Sequence, residues 1–213
     1  MPFPTVRATI CVLLLAAPAA CRDSADTTAA TTTSSVPASS TTSSSVPKEL
    51  TSASRVRLDG IGPVVMGMTL DQATAAVGRK VAVDPNSLIE RDGTDTCGFA
   101  DVEGGSRDLT FMVLRDTPDA PWRIARLDVD DDGTIATGGG AHVGSTEDEV
   151  RRIYGDKLRV ERHAYSGDEG GHYLIVDTDG DGGTRLLFET DGHKVLTYRS
   201  GRQDAVDAIE GCA

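Results

Sequence analysis

Two runs of alternating aspartates are the residues in this sequence best suited by type and spacing to hold a cation. Asp128, Asp130, Asp132 and Gly133 form one; Asp177, Asp179, Asp181 and Gly182 form the other. An EF-hand-type calcium loop begins this way, with oxygens at alternate positions and a glycine at the bend. Such a loop closes on a bidentate carboxylate at its twelfth position, where these runs have Gly139 and Phe188. Glu189 comes one residue late, so Asp177, Asp179, Asp181 and Glu189 make the better calcium set, with Asp191 close behind. Both runs also fall where a strand must reverse, and Asp-Gly is a favoured hairpin turn. Surface turns are therefore the preferred reading, and calcium is the one cofactor the sequence suggests.

Other reactive residues are scattered. His142, His163, His172 and His193 form no His-x-x-x-His pair and do not sit with cysteines at zinc spacing. His163 and His172 flank Asp168 and Glu169 across one loop, a second and weaker metal arrangement. Gly139 to Thr146 imitates a phosphate-binding loop, but Ser145 stands where the lysine belongs, and Glu147, Asp148 and Glu149 would repel phosphate. Those acids suit a helix start, where they face the positive end of the dipole. There is no Gly-x-Ser-x-Gly elbow. No catalytic residue is singled out, although carboxylates are abundant enough for an acid-based hydrolase to remain an alternative. Trp122 ends a loop containing Pro118 and Pro121; tryptophan there serves either as a binding hot spot or as packing over the core edge.

The cysteines place the chain. Arg7, the apolar run Ala8 to Ala17 and the small residues before Cys21 have the layout of an export signal over residues 1–20. That run is far short of the about 20 apolar residues a spanning helix needs. Cleavage before Cys21 resembles bacterial lipoprotein processing, which would acylate Cys21 and hold the protein at the membrane; cleavage after Ala19 would instead release a secreted protein. Cys11 leaves with the signal, so Cys97 and Cys212 remain to form a disulfide in an oxidising compartment, and Cys21 is the odd one. Closing that loop of about 116 residues would stabilise the fold by about 4–5 kcal/mol. The formal net charge of −12 argues against nucleic acid, and no basic patch offers itself to anionic lipid. Basic partners and divalent cations suit it better.

Residues 21–54 are a Ser/Thr/Ala tract punctuated by Pro37 and Pro47, too poor in large apolar groups to fold alone. As a flexible tether this segment holds the rest of the chain about 30–35 Å from its attachment. The folded domain is expected over residues 55–213. Within it, Gly67-Met68-Thr69-Leu70-Asp71-Gln72 and onward to Gly78 recurs 77 residues later as Gly144-Ser145-Thr146-Glu147-Asp148-Glu149 to Gly155. Each copy predicts a short helix with a capping box, Thr69 with Gln72 and Thr146 with Glu149, stopped by a left-handed glycine. Ala73, Ala76 and Val77 share their spacing with Val150, Ile153 and Tyr154, so both helices bury one face. Four strands follow the second helix: 158–165, 172–177, 185–190 and 194–199. Less sharply patterned strands follow the first: 80–83, 97–102, 109–114 and 123–129. The tail 202–210 has Ala205, Ala208 and Ile209 at helical spacing and is expected to dock before Cys212. The fold class is α+β, in two tandem helix-plus-antiparallel-sheet units of about 55–131 and 132–213, the second a clear four-stranded meander.

The doubled Gly-Met-Thr-x-x-Gln-Ala…Gly helix start in an exported chain resembles the secreted β-lactamase-inhibitor-protein fold. It is also similar to the small envelope lipoproteins of the SmpA/OmlA type, which carry one such unit. The resemblance implies a protein-binding scaffold whose sheet or loops make the contact. The function expected from the whole reading is a non-catalytic module of the cell envelope that binds an envelope or secreted protein. A calcium-dependent structural or sensing domain is the chief alternative.

Overall fold

The computed structural model describes residues 49–51, 53–91, 94–130, 134–166, 170–177 and 183–212. The export signal, Cys21 and most of the expected tether therefore lie outside the described residues, as do Asp132, Gly133, Asp168, Glu169, Asp179, Asp181 and Gly182. The described part is α+β, mostly sheet. Its elements run β1 (Arg55–Arg57), β2 (Gly60–Ile61), β3 (Val64–Val65), α1 (Leu70–Val77), β4 (Val81–Val83), β5 (Ile89–Arg91), β6 (Thr94–Val102), β7 (Leu109–Leu114) and β8 (Arg123–Val129). They continue with β9 (Ala136–Thr137), α2 (Glu147–Tyr154), β10 (Leu158–Arg162), β11 (His172–Asp177), β12 (Thr184–Thr190), β13 (Val195–Arg202) and α3 (Gln203–Asp207).

The strands assemble into two sheets. The large one has nine strands, ordered β10-β11-β12-β13-β8-β7-β6-β4, with β5 pairing to β6. All its pairs are antiparallel, and β13 joins β8 through the partners Tyr198–Val129 to Gly201–Arg126. A small four-stranded sheet, β3-β2-β1-β9, includes a parallel pair between β1 and β9. Its strands of two or three residues carry no readable alternation, and sequence patterning did not anticipate them.

Both helices begin as their sequences dictate. The Thr69 hydroxyl accepts the Gln72 N–H while the Gln72 side chain accepts the Thr69 N–H; Thr146 and Glu149 repeat the exchange. Gly78 ends α1 in the left-handed region at φ 70°, ψ 13°. Gly155 departs from that expectation: its φ is 53° but its ψ is −131°, which turns the chain into a 3-10 turn over Gly155–Lys157. Ala73, Val77 and Val150 are buried, whereas Ala76, Ile153 and Tyr154 are half-buried.

The core lies on one face of the large sheet, here called inner. Phe111, Ile124, Leu127, Leu174, Phe188 and Tyr198 are all fully buried there, with Val77 of α1, Val150 of α2 and Ile61 and Val64 of the small sheet against them. Each such side chain contributes about 1.5–3 kcal/mol by leaving water. Phe188 touches Tyr154 and Tyr198 at ring-centroid distances of 5.7 and 5.5 Å. The Tyr198 hydroxyl, buried in that core, donates to the Ile135 carbonyl at 2.8 Å. Leu50 also belongs to this core although it lies within the segment read as tether, and Arg79 donates to its carbonyl at 3.1 Å.

Candidate functional site

Alternation along the strands sends every second residue to the opposite, outer face. Register then sets Thr110 beside Asp128, Asp128 beside Arg199, and Arg199 beside Leu187. One step along, Arg126 stands between Met112 and Gly201. Gly201 is required at that point, because a Cβ there would lie 2.3 Å from the Ala125 carbonyl oxygen.

These outer-face charges are buried, since the tail from α3 to Cys212 crosses them. Arg126 is 3% exposed and Arg199 5% exposed. Arg126 donates through Nη1 to the carbonyls of Ala205 and Ala208, at 2.7 and 2.8 Å, and through Nε to Asp128 Oδ2 at 3.0 Å. Arg199 donates through Nε to the Val206 carbonyl at 2.8 Å and pairs through Nη1 with Glu189 Oε1 at 2.6 Å. Its Nη2 is buried without an acceptor among the described residues. Arg185 pairs with Asp177 at 2.5 Å and also with Asp207 of the tail. The apolar side of the tail covers the rest: Ala205 and Cys212 lie with Cys97, Met112 and Ala125, and Val206 lies with Tyr173, Ile175 and Leu187. The expected Cys97–Cys212 disulfide is present, with its Cα atoms 5.5 Å apart, and pins the end of the tail to β6.

Beside the tail runs a cavity of about 430 Å³, lined by Phe99, Thr110, Arg126, Asp128, Asp130, Glu189, Thr197, Arg199, Ile209, Glu210 and Gly211. This groove is the candidate site. Burial pushes the Asp128 carboxyl above the usual aspartate range and outweighs the neighbouring Arg126. Two ion pairs, Arg126–Asp128 and Arg199–Glu189, cancel within the groove, and Asp130 and Glu210 stand exposed at its sides. The Glu210 carboxylate accepts the Tyr165 hydroxyl at 2.6 Å. The arrangement suits recognition of an amphipathic, positively charged group, and among the described residues it offers no directed nucleophile.

The residues anticipated for calcium are distributed differently. Asp177 closes β11 opposite Arg185 and receives Arg185 and Arg159, at 2.5 and 3.3 Å. Burial opposes its charge, but those hydrogen bonds win and lower its pKa. Glu189 lies opposite Tyr173, four residues further along the ladder, and is held by Arg199 and by His163 Nε2 at 3.3 Å. The fold thus does not bring Asp177 and Glu189 to a common point; Asp179 and Asp181 lie outside the described residues. Among the described residues no group of three or more His, Cys, Asp or Glu side chains is placed to hold a metal. Trp122 is half-buried at the edge of the main core, with the Arg115 guanidinium 4.3 Å from its ring centroid.

A second buried cluster joins α2 to the sheet. Glu147 accepts the Thr190 hydroxyl at 2.5 Å, His172 Nδ1 at 2.7 Å and Arg151 at 3.2 Å. Burial opposes its ionisation, yet these three hydrogen bonds together hold its pKa below the usual range. The threonine hydroxyl is spent on the carboxylate and not on the imidazole, so the trio is a clamp and not a nucleophile with its base.

Sequence reasoning missed the buried arginines. Arg126 and Asp128 alternate with Ala125, Leu127 and Val129, the signature of a solvent-facing strand side, and Arg199 lies between Tyr198 and Ser200. The signal that could have found them was the tail: a small amphipathic segment ending in a pinned cysteine must cover something, and the charged face is what it covers. No protein-family profile, curated protein or solved structure matches this chain.

Proposed function

We propose that this chain is a binding module of the cell envelope, tethered through residues 21–54 and acylated Cys21, which holds a protein partner on the outer face of its large sheet. The observation that carries the reading is the construction of that face. Eight strands in one path present buried, mutually paired charges and an open groove on the side away from the hydrophobic core. A surface whose charged groups are fixed by neighbours before a partner arrives loses little freedom on binding. The extracytoplasmic location rests on the export signal, and the Cys97–Cys212 disulfide agrees with an oxidising compartment.

The tandem origin of the domain belongs to the same proposal. Strands β4, β6, β7 and β8 form one antiparallel run and β10 to β13 another, meeting at β8 and β13, and each run follows a helix opened by a threonine capping box. Duplication of a unit of about 55–131 into one of about 132–213 would account for this order.

A photo-crosslinking residue placed at Thr197, on the outer face, and separately at Asp148, exposed on α2, tests the reading in the full mature chain on source-cell envelopes. A discrete adduct from Thr197 that persists with a calcium chelator, and none from Asp148, is expected. Equal labelling from both sites, or no adduct from Thr197, would refute outer-face binding; an adduct formed only with calcium would shift the function to the acidic loops.

A further inference from the structure

The path of the large sheet ends in two strands, β4 and β10, and the fold finishes them differently. An edge strand of an antiparallel sheet turns the N–H and C=O of every second residue outward, where they can pair with another strand. On β4, Lys80 and Asp84 are the residues bonded across to the β6 side, through Glu103 and Phe99, so Val81 points outward. Its N–H is taken up by the Thr74 hydroxyl of α1 at 3.0 Å. On β10, the His163 N–H donates to the Gly171 carbonyl at 2.9 Å, in register with the β11 ladder. Glu161 and Arg159 are therefore the residues bonded to β11, and Leu158, Val160 and Arg162 turn their backbone groups away from it. Among the described residues no strand lies beyond β10, and the Val160 side chain is 37% exposed.

The residues of β10 fit this edge to itself. With a second copy lying antiparallel and Val160 opposite its own counterpart, the outward groups of both strands meet in hydrogen-bonded pairs, at Val160 with Val160 and at Leu158 with Arg162. The same register sets Arg159 opposite Glu161 twice, once on each side of the axis. Both are exposed and on the outer face, since they stand beside Ile175 and Tyr173. Arg159 already pairs with Glu161 of its own strand and with Asp177 at 3.3 Å, and its five donors leave room for the facing carboxylate. Sliding the second copy by two residues either way would set Arg159 against Arg159 or Glu161 against Glu161, and like charges directly opposite are destabilising. Charged residues ordinarily ward strands off an open edge. Here they admit one register.

We propose that the protein pairs with a second copy of itself through β10, antiparallel about Val160, so that two large sheets become one. The two-fold axis runs perpendicular to the sheet, which leaves both outer faces on the same side. This pairing does not depend on what the outer face binds. The net charge of −12 opposes association, but exposed charges more than about 8 Å apart are largely screened at physiological ionic strength, whereas the cross-strand pairs are in contact.

Val160→Cys in the full chain tests the pairing, because residues facing each other at a hydrogen-bonded pair have Cα atoms about 5.5 Å apart, within reach of a disulfide. Source-cell envelopes oxidised with copper phenanthroline should yield a covalent dimer on a non-reducing gel. Leu196→Cys, exposed on β13, should give at least about tenfold less. Adding Arg159→Glu or Glu161→Arg to Val160→Cys should each lower the dimer about tenfold, since like charges then face each other twice. Co-expressing those two variants should restore it as a heterodimer, and that recovery shows that both are folded. No dimer from Val160→Cys, equal dimer from Leu196→Cys, or dimer unaffected by either charge reversal would each overturn the proposal. So would failure of the co-expressed variants to recover the dimer while each melts at the parent temperature.

Discussion

On the inner face of the large sheet, Phe111, Leu127, Tyr198 and Phe188 lie on adjoining strands; on the outer face the same strands carry Thr110, Asp128, Arg199 and Glu189. The inner set is removed from water by helices and the small sheet; of the outer set, Asp128 and Arg199 are buried beneath ten residues of tail, while Thr110 and Glu189 are half-buried. The inner face gains by burying hydrocarbon, which needs no directional match. The outer face gains only if each buried ion finds a counter-ion or carbonyl in the right place, since an unmatched one is penalised heavily. The two buried carboxylates make the contrast concrete. Glu147, the first residue of α2, has three donors and a lowered pKa; Asp128, under the tail, has a single arginine hydrogen bond among the described residues and a raised one. One sheet therefore pairs a face tolerant of substitution in kind with a face that depends on matched partners.

Breaking the outer face at its covalent pin should have the largest effect. Replacing Cys97 and Cys212 by Ser is expected to cost about 4–5 kcal/mol, read as a lower urea midpoint, because the unfolded chain regains the freedom of a long loop. Phe111→Ala on the inner face should cost about 3–5 kcal/mol with little change at the tail. Arg126→Met should cost about as much, roughly 3–5 kcal/mol, since it strands Asp128 and unbinds two tail carbonyls. Adding Asp128→Asn to Arg126→Met should recover part of that loss, whereas no second substitution of that kind rescues Phe111→Ala. If the double variant is no better than the single, the outer face is held by packing alone and the comparison fails.

Smaller effects separate the carboxylates by sign. For Glu147 the folded pKa is depressed, so its contribution is present above the unfolded value of about 4.3 and is lost as pH falls through the folded value. Glu147→Gln should cost roughly 1–2 kcal/mol at pH 7 and much less in acid. For Asp128 the folded pKa is raised, so its contribution is fullest below the unfolded value of about 3.9 and declines as pH rises toward the folded one. Urea unfolding of Glu147→Gln and of Asp128→Asn alone at pH 3.5 and pH 7 should therefore show stability changes relative to the parent that vary with pH in opposite directions. The caps come last: Thr69→Ala and Thr146→Ala should each cost about 1 kcal/mol, and similar values would fit helices of common origin.

Much of the inner face was legible in the sequence because it is built from local rules. Thr69, Gln72 and Gly78 specify a helix within ten residues, and β7, β8 and β11 occupy the ranges that alternation gives. The expected Cys97–Cys212 pair formed because these were the only two cysteines left for the domain. The outer face was not legible because what buries Arg126 lies some eighty residues away in Ala205 and Ala208. Patterning reports which side of a strand a residue takes, not what will later cover that side. Of the residues read for calcium, Asp177 ends β11 and Glu189 lies four ladder steps away on β12, each paired with an arginine, while Asp179 and Asp181 lie outside the described residues.

The disulfide also sets how far the molecule can be stretched. Cys97 and Cys212 are 115 positions apart, so a chain pulled from its N-terminal side can extend only as far as β6 before the force reaches a covalent bond. At about 3.3–3.6 Å per extended residue, close to 400 Å of potential slack stays locked inside the loop. The strands β7, β8 and β10 to β13 all lie within it. Under load the domain would shed β1 to β5 and hold its broad sheet together, behaving as a short spring ahead of a rigid stop.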